Sequence, residues 1–209
     1  MTGSDKHDGH LGAAYGAEGA DEVAAVYDRW AGTYDAEMAR AGYRHPAIGM
    51  ALLARRVPSL SGAVLDAGCG TGLLGDWLRV LGFRPVVGLD LSDGMLAEAR
   101  RRGCYDALHR LALGRPLPFA DAEFAAVISI GVFTTGHVGA EGLPELVRVL
   151  APGGALVLSV KTTLWQGAVG KALAADPGLE ILDVTEPYVS MPGETGTVPS
   201  VALAARKGV

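Results

Sequence analysis

Apolar residues in the first part of the chain recur at helical spacing. Val23, Val26, Tyr27, Trp30, Tyr34 and Met38 fall along one face, which predicts one or two short helices over residues 21–40. A further helix fits residues 46–56, ended ahead of Pro58. Residues 1–20 carry Gly, Asp and His with little apolar pattern and read as a flexible leader. From about residue 59 the rhythm changes to short apolar runs between amphipathic stretches. Strands are predicted at 63–67, 86–91, 108–113, 125–133, 155–160, 180–184 and 201–206, and helices at 72–81, 94–102, 141–150 and 163–174. The central runs are unbroken Val, Ile, Leu and Ala, as strands covered on both faces require. Strand and helix alternating in this order predict an α/β fold with a doubly wound, mostly parallel sheet and helices on both faces. The organisation is then a leader (1–20), an N-terminal helical segment (21–58) and a core domain (59–209).

The candidate chemistry begins where the first strand runs into glycines, at Val64-Leu65-Asp66-Ala67-Gly68-Cys69-Gly70-Thr71-Gly72. In a doubly wound sheet, ligands bind outside the carboxyl ends of the strands where the strand order reverses. Gly68, Gly70 and Gly72 let the backbone turn sharply and approach a ligand with no Cβ between. Gly70, Gly72 and Gly75 also satisfy the dinucleotide spacing G-x-G-x-x-G, a weak signal by itself. Asp90 sharpens it: an acid ending the second strand, just before Leu91, stands where it can accept both hydroxyls of a ribose. Asp66 decides between cofactors, because its carboxylate suits the ammonium of a methionine moiety and would repel a pyrophosphate. Leu150-Ala151-Pro152-Gly153-Gly154 adds a helix stop and tight turn leading into an apolar strand.

On these motifs, residues 23–161 resemble the class I, S-adenosylmethionine-dependent methyltransferases. Tyr27-Asp28-Arg29-Trp30-Ala31-Gly32-Thr33-Tyr34-Asp35, Gly94-Met95-Leu96 and Leu143-Pro144-Glu145-Leu146 are most similar to the methyltransferase-like proteins of the Williams-Beuren syndrome region and their bacterial relatives. The resemblance implies a Rossmann-like seven-stranded sheet with an antiparallel last strand. It also implies that the segment bearing Tyr27 and Tyr34 folds over the cofactor as a lid, where aromatic faces can stabilise a sulfonium. A buried helical stripe is the competing reading of Tyr27, Trp30 and Tyr34. Many relatives carry an Asp for the adenine amine where this chain has Leu113, ahead of Leu117-Pro118-Phe119. Adenine is then expected against apolar groups and the backbone near Ala112 to Gly114. The usual Phe-Asp before the fourth strand is Phe124-Ala125 here.

The fourth strand ends Ile130-Gly131-Val132-Phe133-Thr134-Thr135-Gly136-His137, without the Asn/Asp-Pro-Pro-Tyr motif of amino-methylating enzymes. Ile130 is expected at the cofactor. His137 is the candidate general base, needed only if the acceptor holds its proton tightly. Substrate walls are expected from the N-terminal helices, the loop 134–142, Trp165 and residues 187–199, a thin cover that a second copy of the chain in a homodimer could complete.

Composition trims the alternatives. Glycine makes up 30 of 209 residues, about twice the usual share of roughly 7%, and only the site and turn glycines have chemical reasons. The net charge of −5 offers no basic footprint, so neither nucleic acid nor an anionic membrane is expected as a partner. Cys69 and Cys104 make no framework or metal pair, and the five histidines lack ligand spacing, so a cytoplasmic setting without metal is expected. The reading is a small-molecule methyltransferase using S-adenosylmethionine. A module that binds S-adenosylmethionine or S-adenosylhomocysteine as sensor or scaffold is its rival. A nicotinamide dehydrogenase fits the glycines but leaves Asp66 badly placed.

Overall fold

The computed structural model of the protein describes residues 9–17, 19–56, 62–134 and 136–209. Among them one sheet is built from β1 (Val64–Ala67), β2 (Val86–Asp90), β3 (Ala107–Arg110), β4 (Phe124–Phe133), β5 (Leu150–Lys161), β6 (Leu179–Val184) and β7 (Ser200–Lys207). Their spatial order is β3-β2-β1-β4-β5-β7-β6. Pairings among β1 to β5 are parallel, whereas β7 runs antiparallel between β5 and β6. This is the Rossmann-like, doubly wound arrangement expected from the sequence, antiparallel last strand included. The order reverses between β1 and β4, so a crevice opens at their carboxyl ends.

Successive residues of the central strands feed two different cores. Val64, Ala126, Ile128 and Val157 pack with Leu53 of α3 (His45–Arg56) and Leu78 of α4 (Gly75–Val80). Leu65, Val127, Leu156 and Leu158 pack on the other face with Leu146 of α6 (Leu143–Val149) and Leu173 of α8 (Ala168–Ala175). Burying both faces at about 1.5–3 kcal/mol per large side chain makes the runs unbroken instead of alternating.

Some expectations give way. The expected leader is helical over Gly9–Gly16 (α1), with Ala14 buried and Leu11 packed on the core of α2 (Ala20–Ala41). A helix of two turns owes its existence to that packing more than to local pattern, and residues 1–8 lie outside the described residues. In place of one or two short helices, α2 is continuous until Gly42 takes a left-handed conformation (φ 69°). The helix expected from residue 72 begins at Gly75, because Gly72 and Gly75 donate backbone hydrogen bonds in successive turns. The pattern at 163–174 divides at Gly167 into α7 (Thr162–Trp165) and α8. The Pro58 stop and the boundary expected at 58/59 lie outside the described residues. No helix among the described residues is long and apolar enough to cross a membrane.

Candidate functional site

A cleft with a cavity volume of about 170 Å³ lies over the carboxyl ends of β1, β2 and β4. Gly68, Gly70, Asp90, Leu91, Leu113, Ile130, Tyr27, Tyr34 and His137 all line it. Its floor is the glycine loop. Gly68 has φ +84°, and a Cβ there would lie 2.2 Å from the Val132 side chain. Gly70 has φ +53° with nothing within 4 Å of its absent Cβ, so its backbone is open to the cleft. The Gly70 N–H donates to Asp90 Oδ2 (2.8 Å) and the Ser92 N–H to Asp90 Oδ1 (2.9 Å). Both carboxylate oxygens are thereby fixed, with lone pairs remaining for further donors. Burial pushes the Asp90 carboxyl above its usual range, and the Ser92 and Gly70 N–H groups draw it back.

Gly72 does not line the cleft. It has φ +87°, and a Cβ would lie 3.0 Å from Tyr105 and 3.3 Å from the Ala99 Cα, so it is glycine for packing onto α5 (Asp93–Arg102). Asp66 lies in an adjoining recess shared with Tyr34, Tyr43, Gly68 and Gly70. It is 1% exposed; Oδ2 accepts the Tyr105 hydroxyl (2.7 Å), and Oδ1 has no partner. Burial pushes its carboxyl up to about 7, opposed by the Tyr105 hydroxyl and assisted by Asp90.

The far wall is apolar, formed by Met95, Leu111, Ala112, Leu113 and Val138, with no carboxylate at position 113. Helix α2 is the roof. The stripe expected from the sequence divides between its two readings: Trp30 is buried with its indole N–H on Glu37 (2.8 Å), while Tyr27 and Tyr34 face the cleft. Two contacts clamp α2 on either side of the glycine loop. Asp28 Oδ1 accepts the Ser92 hydroxyl (2.5 Å) and the Gly94 N–H (2.8 Å) at the start of α5. Asp35 accepts the Thr71 hydroxyl (2.6 Å) and pairs with Arg102. His137 Nε2 lies 3.2 Å from the Tyr27 hydroxyl.

A second, narrower chamber continues inward, sharing Tyr27, Tyr34, Tyr43 and Gly131 with the cleft. Gly131 has φ +79°, and the Tyr43 hydroxyl sits 2.3 Å from where its Cβ would stand. Tyr15 from α1, His45, Thr134, Ser159, Lys161, Ser190, Met191 and Ser200 complete the wall. His45 bonds through Nδ1 with the Tyr188 hydroxyl (2.6 Å), and burial, with the Lys161 charge, lowers its pKa to about 3, so it is neutral. Residues 187–199 thus reach a chamber wall through Ser190 and Met191, while Trp165 packs against the hydrophobic core instead. Sequence reasoning missed Tyr15, Tyr43, His45 and Lys161. Of these, Lys161 gave the clearest signal, a charge closing the apolar run 155–160.

The switch-point cleft, the acid after the second strand and the sheet order are those of the class I, S-adenosylmethionine-dependent methyltransferases, which the chain resembles. Residues 65–158 match the model of a methyltransferase domain. The chain is 38% identical over 153 residues to human (Homo sapiens) methyltransferase-like protein 27, covering 72% of this chain and 62% of that protein. It is 39% identical over 104 residues to the probable tRNA methyltransferase 9B of Mus musculus, covering 46% of this chain and 21% of that one. The chain therefore spans less than two thirds of either relative. Among solved structures, the [4+2]-cyclase SpnF superposes with TM-score 0.69 at 19% identity, covering 92% of this chain and 97% of that one. S-adenosylmethionine is the cofactor of the class that the chain resembles.

Proposed function

We propose that the protein transfers a methyl group from S-adenosylmethionine to a small-molecule acceptor. The observation that carries this reading is the narrow chamber joined to the cofactor cleft across Tyr27, Tyr34, Tyr43 and Gly131. The residues fit the cofactor. Asp90, already oriented by Gly70 and Ser92, accepts the ribose hydroxyls. Asp66 Oδ1, buried without a partner, receives the methionine ammonium directly or through water. Gly68 and Gly70 present backbone to the methionine moiety. Leu91, Leu113 and Ile130 hold the adenosine by apolar contact, together with the backbone of the loop after β3. The bound sulfonium supplies an activated methyl group whose transfer neutralises charge.

What the chain contributes is enclosure and alignment. Helix α2 closes the cleft as a lid, fixed by Asp28 and Asp35, and puts the Tyr27 and Tyr34 rings beside the cation. His137, against the Tyr27 hydroxyl, takes the acceptor's proton where one must leave. Two rival readings have particular support. A structural neighbour named a cyclase raises the reading without methyl transfer, and the name of the mouse relative raises a tRNA acceptor. The net charge of −5 argues against the latter. Release of S-adenosylhomocysteine, measured over a panel of small nucleophiles and over bulk tRNA, tests all three. Turnover with a small molecule is the expected result. Turnover with tRNA alone, or none with either, overturns the reading.

A further inference from the structure

The inner chamber has a polarity that methyl transfer itself does not require. Lys161, the last residue of β5, is only 4% exposed on its wall. Its Nζ donates to the Val198 carbonyl (2.8 Å) and lies 5.6 Å from the centroid of the Tyr15 ring. Three residues with buried hydroxyls line the same chamber: Thr134, Ser190 and Ser200, at 6%, 1% and 1% exposure. None of these three has a hydrogen-bond partner. A buried polar group left unsatisfied costs about 1–3 kcal/mol, so three around one space, beside a buried ammonium, call for a ligand rich in acceptors. His45 is neutral, so the positive charge at this wall comes from Lys161, and Ser159 is already engaged by the Gly131 N–H (2.8 Å).

We propose that this chamber anchors the acceptor by a carboxylate, held by Lys161 Nζ and the hydroxyls of Thr134, Ser190 and Ser200. A carboxylate offers about four lone pairs on two oxygens, enough for one ammonium and three hydroxyl donors. Leu11, Met38, Phe133 and Met191 form the remaining apolar wall, and the body of the acceptor extends from the anchored carboxylate toward the cleft across Tyr27, Tyr34, Tyr43 and Gly131. The proposal rests on the small-molecule reading above, since it names the class of that acceptor.

The test is binding, read without turnover. The full chain, saturated with S-adenosylhomocysteine, is titrated calorimetrically with acetate, butanoate and benzoate and with their amides. The expected result is that at least one acid binds about tenfold or more tightly than its amide, and that Lys161→Met abolishes the preference. Acids and amides binding alike, no binding by either, or a preference that survives Lys161→Met would overturn it. If Lys161→Met does not fold, as judged by circular dichroism, the double variant Ser190→Ala/Ser200→Ala decides: a preference reduced severalfold supports the anchor, and an unchanged one rejects it. Carboxylate binding without release of S-adenosylhomocysteine from any small acceptor would refute the methyl-transfer reading and leave the anchor standing.

Discussion

Asp66 is an acid held in the wrong environment for its charge until a cation arrives, and Asp66→Asn exposes that. Burial raises its carboxyl from 3.8 to about 7, with one oxygen bound by Tyr105 and the other unpartnered. A folded-state value above the unfolded one means that the folded protein holds the proton more tightly. The associated stability is complete below 3.8 and is lost as pH rises to about 7. At 1.36 kcal/mol per unit, the whole loss is about 4 kcal/mol, of which about 2.5 kcal/mol falls between pH 5 and pH 8. Asparagine does not titrate. Urea unfolding of the cofactor-free protein should therefore find Asp66→Asn gaining on the natural chain by about 2.5 kcal/mol between those pH values. Cofactor affinity should move the other way. With a charged hydrogen bond worth about 1.5–3 kcal/mol, calorimetry at pH 8 should find S-adenosylhomocysteine bound about ten- to a hundredfold more weakly by the variant. A stability difference independent of pH would refute the buried-acid argument. Unchanged affinity would refute Asp66 as the ammonium partner.

The other site residues give shorter tests. A Cβ at Gly94 would lie 2.8 Å from the Asp28 backbone, so Gly94→Ala should push α2 off α5, weaken S-adenosylhomocysteine binding severalfold in calorimetry and speed proteolysis within α2. Gly72→Ala, strained at φ +87°, should lower stability by about 1–3 kcal/mol in urea unfolding while leaving cofactor affinity within about twofold; a large affinity loss would return Gly72 to the cofactor. His137→Gln should reduce turnover about a hundredfold if the acceptor is protonated, with cofactor affinity unchanged, and full turnover would dismiss His137 as the base.

The sheet was legible because its physics is local: strands buried on both faces read as unbroken apolar runs, and the glycine loop followed by Asp90 carries its spacing in the chain. The same motif misled at Gly72, where the glycine pattern is identical whether the missing Cβ makes room for a ligand or for Tyr105 and the Ala99 backbone. Only tertiary neighbours distinguish the two. Helix α1 was illegible for a related reason, since two turns with one buried residue, Ala14, leave no period to detect. The inner chamber illustrates the limit most fully. Its wall draws Tyr15 from α1, Tyr43 from beyond α2, Lys161 from the end of β5, Ser190 from a loop and Ser200 from β7. No spacing rule connects residues that meet only because β7 inserts beside β5 and α1 folds back onto α2. Gly131 carries that lesson in one position: its need for glycine is set by the hydroxyl of Tyr43, far upstream, which fills the place of its Cβ. The glycine loop and Asp90 are legible in sequence because they follow one another along a strand and its loop, whereas a chamber assembled from distant segments has to be read from the folded chain.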